Sequence, residues 1–98
     1  MREKPTNLTT IEIQNLLDTY QEWKLETKDG DSFFYFEKEF PSFKEAFVFI
    51  TKLALISESL DHHAEIWNVY NKLRIKLFTH DTNSLTTKDK QFITQLMA

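Results

Sequence analysis

The side chains best suited to exchanging protons near neutral pH lie close together in this chain: His62, His63 and His80, with Glu58, Asp61 and Asp81 beside them. A free imidazole titrates at about pH 6.5, and a neighbouring carboxylate can fix which ring nitrogen carries the proton. General acid/base work is therefore the chemistry these residue types allow. By type alone, however, they read as solvated surface histidines beside ordinary charges, because clustered titratable groups mark a site only statistically. Metal chemistry fits poorly. Adjacent histidines on a helix diverge by about 100°, and the chain has no H-E-x-x-H, no His pair at i and i+4 and no cysteine, so no metal is expected. A Ser-His-Asp arrangement lacks a nucleophile elbow, and the single glycine, Gly30, leaves no phosphate loop or dinucleotide fingerprint. No cofactor is expected.

The elements that must position these residues fit one domain over residues 1–98, since 98 residues bury only about two thirds of their unfolded surface. The net charge of −3 argues against nucleic acid and anionic membranes as partners. The polar stretch Met1 to Thr10 has no apolar run of signal-peptide length, so a cytoplasmic protein is expected, with only the first half-dozen residues dispensable to the fold. Without cysteine, packing must supply the stability.

Thr9-Thr10-Ile11-Glu12 is a capping box, with Leu8 and Ile13 placed as a hydrophobic staple; Ile13, Leu16, Leu17 and Tyr20 then follow at helical spacing. From Trp23 to Phe40 the pattern becomes a β-hairpin: the turn is Lys28-Asp29-Gly30-Asp31, and an aromatic run, Phe33 to Phe36, follows it. Pro41 stops the strand, and Ser42-Phe43-Lys44-Glu45 is a second capping box opening a helix over Phe43 to Leu60. Ile66 to Tyr70 and Leu73 to Thr79 read as a second hairpin turning at Asn71-Lys72. Thr86-Thr87-Lys88-Asp89 caps a last helix that turns Phe92, Ile93, Leu96 and Met97 inward. The order α-β-β-α-β-β-α implies an α+β fold: a four-stranded antiparallel sheet with three helices on one face. His62 and His63 then lie at the exit of the long helix and His80 at the far end of the last strand, where clefts form.

The long helix carries 11 apolar residues in 18, more than one stripe facing one sheet requires. So small a domain has little interior in which to hide a helix all round, so its second face is expected to pack against another subunit, giving a homo-oligomer.

Glu58-Ser59-Leu60-Asp61-His62-His63, then Trp67-Asn68-Val69-Tyr70-Asn71-Lys72, then Thr79-His80-Asp81 and Leu85-Thr86 with Asp89, closely resembles the pterin-4a-carbinolamine dehydratases. The pattern is specific: E-x-x-x-H-H, a Tyr seven residues after the second His, a His ten later and an Asp nine after that. The likeness extends upstream through Trp23 and Phe43-Lys44-Glu45-Ala46-Phe47, and the family has the same order of elements. Three departures stand out. Ala64 replaces a usual proline, Asn83-Ser84 replaces one or two glycines, and Lys88 replaces an arginine found in some members. Asn is the best non-glycine residue at a positive φ.

The resemblance implies a hydro-lyase that converts 4a-hydroxytetrahydropterin (4a-hydroxytetrahydrobiopterin), left by aromatic amino acid hydroxylases, to quinonoid dihydropterin and water, with no redox step and no metal. It implies that His62 and His80 form the acid/base pair and that His63 holds and polarises the pterin. Glu58 and Asp61 would orient imidazoles or bond the pterin, and Thr79 would line the pocket. Asp89 is either a pterin-site residue or only the third residue of its helix cap; Trp67 and Tyr70 are either core or pocket wall. Two other functions follow from the same resemblance: a non-catalytic interaction module, since animal members are dimerisation cofactors of a homeodomain transcription factor, and a dehydratase-like protein of another pterin pathway.

Overall fold

The computed structural model describes residues 4–98. Helix α1 (Thr10–Thr19) is followed by strands β1 (Trp23–Lys28) and β2 (Asp31–Glu39), helix α2 (Phe43–Leu60), strands β3 (Glu65–Val69) and β4 (Lys72–Leu77), and helix α3 (Thr87–Leu96). The expected α+β order is therefore the observed one. The strands form one antiparallel sheet in the order β1-β2-β4-β3, two hairpins joined through their inner strands.

Each hairpin turns where the backbone can reach positive φ. Asp29 (φ 54°) and Gly30 (φ 84°) make the first turn, as an Asp-Gly pair with two positive φ values does in a type I′ hairpin. The second turn is Tyr70-Asn71, one residue earlier than the sequence pattern suggests, because Val69 pairs with Lys72. Tyr70 takes the positive φ (52°). Asn71 instead ties the hairpin to the end of β2: its Nδ2 donates to Phe40 O at 2.8 Å, and its own carbonyl accepts from Phe40 N at 2.8 Å.

Alternation along the strands puts Trp23, Phe34, Phe36, Leu73, Ile75 and Leu77 on the face that the helices cover, all buried. Burying one such aromatic side chain is worth about 2–3 kcal/mol relative to leaving it in water. Helix α3 seals this core with Phe92, Ile93 and Leu96, while Met97 is half-buried at its end. Capping boxes close the starts of α1 (Thr9, Glu12) and α3 (Thr86, Asp89); at α2, Ser42 Oγ accepts from Glu45 N at 3.3 Å, one half of the expected box.

Helix α2 carries two apolar stripes. Ala46, Leu53 and Ile56 face the core, whereas Phe43, Phe47, Val48 and Leu55 lie outside it, with Phe47 54% and Leu55 68% exposed. The N-terminal segment joins the fold from Thr6, the last of the half-dozen residues expected to be dispensable. Residues 1–3 lie outside the described residues, but Thr6 O accepts from Thr87 N at 2.9 Å, Asn7 pairs with Thr86, and Leu8 is buried.

Candidate active site

Helix α2 ends on Asp61, which adopts the left-handed conformation (φ 50°, ψ 48°) and donates its backbone N–H to Glu58 O and Ser57 O. Aspartate tolerates this geometry better than most side chains. The reversal swings the next two residues off the helix axis in different directions. His62 turns inward, its backbone N donating to Ser57 O at 3.0 Å, and is buried; His63 stays exposed.

His62 Nε2 lies 2.6 Å from Asp89 Oδ1, and its ring meets Phe92 edge-on at 6.1 Å between centroids. The Asp89 side chain is fully buried. Its other oxygen, Oδ2, accepts from Thr86 N at 2.8 Å and from Thr79 Oγ1 at 2.8 Å. A carboxylate accepting at both oxygens has no proton to offer, so Nε2 of His62 is the donor and Nδ1 holds the lone pair in the neutral ring. Thr79 spends its proton on Asp89, so in the 2.6 Å contact between the two threonine hydroxyls Thr86 donates and Thr79 accepts. The bonds thus converge on one carboxylate: Thr86 donates to Thr79 and Thr79 to Asp89 from one side, and His62 donates to Asp89 from the other.

His63 repeats the pairing at the surface, its Nε2 lying 2.8 Å from Glu58 Oε2. His80 lies beyond the end of β4. Thr79 and Ser84 bridge, with Thr79 N donating to Ser84 O at 2.8 Å, and the turn they close is completed by Asn83 at φ 50°. That positive φ matches the reading of Asn83 as a glycine substitute. The His80 ring packs against Phe78 at 4.2 Å between centroids, the two planes tilted by 31°.

These pieces converge. A cleft of about 360 Å³ is bounded by Asp61, His62, His63, Thr79, His80 and Asp81, with Pro5 and Lys88 at its rim. Two sequence elements far apart in the chain, the α2 exit and the turn after β4, therefore supply all three histidines to one concavity. Glu58 joins through His63, and Asp89 lies beneath the cleft behind His62. Asp89 does more than cap α3, since it also holds His62, but it is not among the residues that bound the cleft.

Two aromatic residues are placed elsewhere. Trp67 is on the opposite face of the sheet, under the Arg74 guanidinium at 4.4 Å, and borders a separate cavity with Glu37 and Lys72. Tyr70, 66% exposed in its turn, is neither core nor cleft wall. Alternation along β3 separates Trp67 from the core-facing residues, so a β-strand reading of Ile66 to Tyr70 already carried that signal. The Thr86 hydroxyl and the Phe92 ring were legible only as a cap and a core residue. Among the described residues, no three His, Asp or Glu side chains gather as metal ligands do, and no helix is long and apolar enough to cross a membrane.

Comparison with known proteins matches the chain over nearly its whole length and the fold as a whole. The model of the family described as pterin 4 alpha carbinolamine dehydratase matches residues 6–97. Among curated relatives bearing the pterin-4-alpha-carbinolamine dehydratase name, one from Solibacter usitatus is 39% identical over 93 residues, covering 95% of this chain and 94% of its own. Another, from Prochlorococcus marinus strain NATL2A, is 42% identical over 80 residues, 78% of this chain and 80% of the relative. The crystal structure of a transcriptional coactivator/pterin dehydratase from Brucella melitensis superposes with a TM-score of 0.81 at 32% identity, covering 94% of this chain and 96% of that one. With its fold and nearly its whole length matched, this chain belongs to the pterin 4 alpha carbinolamine dehydratase family.

Proposed function

We propose that the protein dehydrates 4a-hydroxytetrahydropterins, of the tetrahydrobiopterin type, to quinonoid dihydropterins by histidine acid/base catalysis. The observation that carries this reading is the gathering of His62, His63 and His80 around one cleft, with His62 oriented by a buried carboxylate. In the reaction the C4a–O bond breaks, the departing hydroxyl takes a proton and leaves as water, N5 loses its hydrogen, and a C4a=N5 double bond forms. One group must give a proton and another must take one, both near neutrality.

His62, held with its lone pair on Nδ1, is prepared as the base, and His80, exposed on the facing turn, as the acid. His63 holds the pterin, with Glu58 fixing its ring. Asp61 and Thr79 line the cleft as substrate contacts. The setting is recycling of the pterin released by aromatic amino acid hydroxylases in the cytoplasm. The test is a stopped-flow assay: the protein should remove 4a-hydroxytetrahydropterin faster than buffer alone, and equal rates would sink the reading.

The exposed stripe of α2 supports self-association into a dimer or tetramer, because apolar side chains of this size at helical spacing lose less by covering one another than by facing water. The same stripe favours one second reading, an interaction module that uses α2 to dock a partner protein, in keeping with the coactivator description of the Brucella relative. A module of that kind would tolerate loss of the three histidines and depend on Phe43 and Phe47.

A further inference from the structure

Beside the histidine cleft lies a second cavity, of about 510 Å³, bounded by Lys4, Thr6, Ser59, Leu60, Thr87, Lys88 and Gln91. The two concavities share Lys88, and Pro5 on the rim of the first sits between Lys4 and Thr6 of the second. Each is of a size that suits part of a small ligand. Their charges differ. The histidine cleft contains Asp61 and Asp81, whereas the second cavity has two lysines and no carboxylate among its bounding residues, in a chain whose net charge is −3.

The wall carrying Lys4 is fastened in place. Thr6 O accepts from Thr87 N at 2.9 Å, Thr6 N donates to Thr87 Oγ1 at 3.3 Å, and Leu8 N donates to Leu85 O at 2.9 Å. The start of α3 has little left to offer an anion, because Thr87 N, Lys88 N and Asp89 N all donate within the protein. Recognition there must come from side chains: two ammonium groups, the hydroxyls of Thr6 and Ser59, and the Gln91 amide.

We infer that this cavity receives an anionic substituent, a phosphate monoester or a carboxylate, carried by a pterin whose ring occupies the histidine cleft. The inference rests on the reading of that cleft as a pterin site. Lys88, shared by both concavities, is then a specificity-determining residue, and Lys4 is the second cation of the cavity.

The test is equilibrium binding, followed by pterin fluorescence, of three oxidised pterins that share the ring and differ at C6: a neutral dihydroxypropyl tail, its phosphate monoester, and a carboxylate-terminated tail. An anionic tail should bind about tenfold tighter than the neutral one at low salt, the scale of two partly exposed charge pairs. The advantage should shrink as salt rises and fall to near unity in a Lys4→Gln/Lys88→Gln double variant. A gain for only one anion identifies which of the two the cavity takes. Equal binding of all three by the wild type, or an advantage that survives in the double variant, overturns the inference. Failure of the dehydratase reading would show separately, as an absence of catalysed turnover with the neutral-tailed substrate.

Discussion

Asp89 serves two structures with one carboxylate: Oδ1 holds His62 Nε2 at 2.6 Å, while Oδ2 caps α3 through Thr86 N at 2.8 Å. The first turn of the last helix is thereby locked to the orientation of an imidazole 27 residues earlier in the chain. The capping pattern needs an acidic or amide residue at this position, but the imidazole needs an acceptor on the other side, which only the carboxylate provides.

Asp89→Asn tests this double duty. The amide must turn its N–H either toward the Thr86 backbone N–H, setting donor against donor, or toward His62 Nε2, which forces the imidazole proton onto Nδ1 and removes the lone pair held there. Turnover should fall by about 10²-fold, the scale of disabling a general base, and stability by about 1–3 kcal/mol, the cost of a buried group left unsatisfied. Stopped-flow kinetics and urea titration read the two effects. Wild-type turnover in folded Asp89→Asn protein would contradict the role given to His62.

His62→Ala and His80→Ala should each lower turnover by about 10²-fold or more. Their stabilities should differ. His80 is exposed, so its loss should leave the urea midpoint nearly unchanged, whereas losing His62 strips a donor from buried Asp89 and should cost about 1–3 kcal/mol. Equal destabilisation in the two variants would contradict the burial of the His62–Asp89 pair.

Thr79→Val keeps the shape of the side chain and removes the hydroxyl that passes between Thr86 and Asp89. Both neighbours then lose a partner in a buried setting, and a cost of about 1–3 kcal/mol is expected. A double-mutant cycle with Thr86→Val should be strongly non-additive, because the two hydroxyls form one chain. Simple additivity would mean that they act independently.

Phe47→Glu places a charge in the middle of the exposed α2 stripe, beside Phe43, whose ring centroid is 5.6 Å away. Light scattering should show an oligomer for the wild type and a monomer for the variant at micromolar concentration. A monomeric wild type would remove the case for self-association.

Acid should weaken the start of α1. The Glu12 carboxylate is held below its usual value of 4.5, first by the backbone N–H of Thr9 and then by the Thr9 side chain. A carboxylate with a lowered folded pKa contributes stability that is fully present above the unfolded value and lost as pH falls through the folded one. Glu12→Gln should therefore show a shallower loss of stability below about pH 4.5. Superimposable pH profiles for wild type and variant would remove Glu12 from the account.

Local chemistry determined much of this protein directly from its sequence. The capping residues Thr9, Ser42 and Thr86, the Asp29-Gly30 turn and the α2 span all sit where pattern alone puts them, because caps, turns and amphipathic stripes depend on neighbours a few residues apart. The second hairpin turns one residue earlier than the Asn71-Lys72 pattern predicts, for a non-local reason: Asn71 is committed to Phe40, across the sheet, so Tyr70 accepts the positive φ. Spacing likewise identified His62, His63 and His80 through a family resemblance, yet it could not show that they share a cleft. That required the antiparallel pairing of β3 and β4 and the packing of α3 on α2, which carry Thr79, His80 and Asp89 to the exit of α2. Trp67 shows the converse, since its nearness in sequence to His63 counts for nothing once the pleat turns it to the other side of the sheet. Propensity and capping are read from adjacent residues; which imidazole meets which carboxylate is set by contacts between segments distant along the chain, and those exist only after the sheet and its helices have packed.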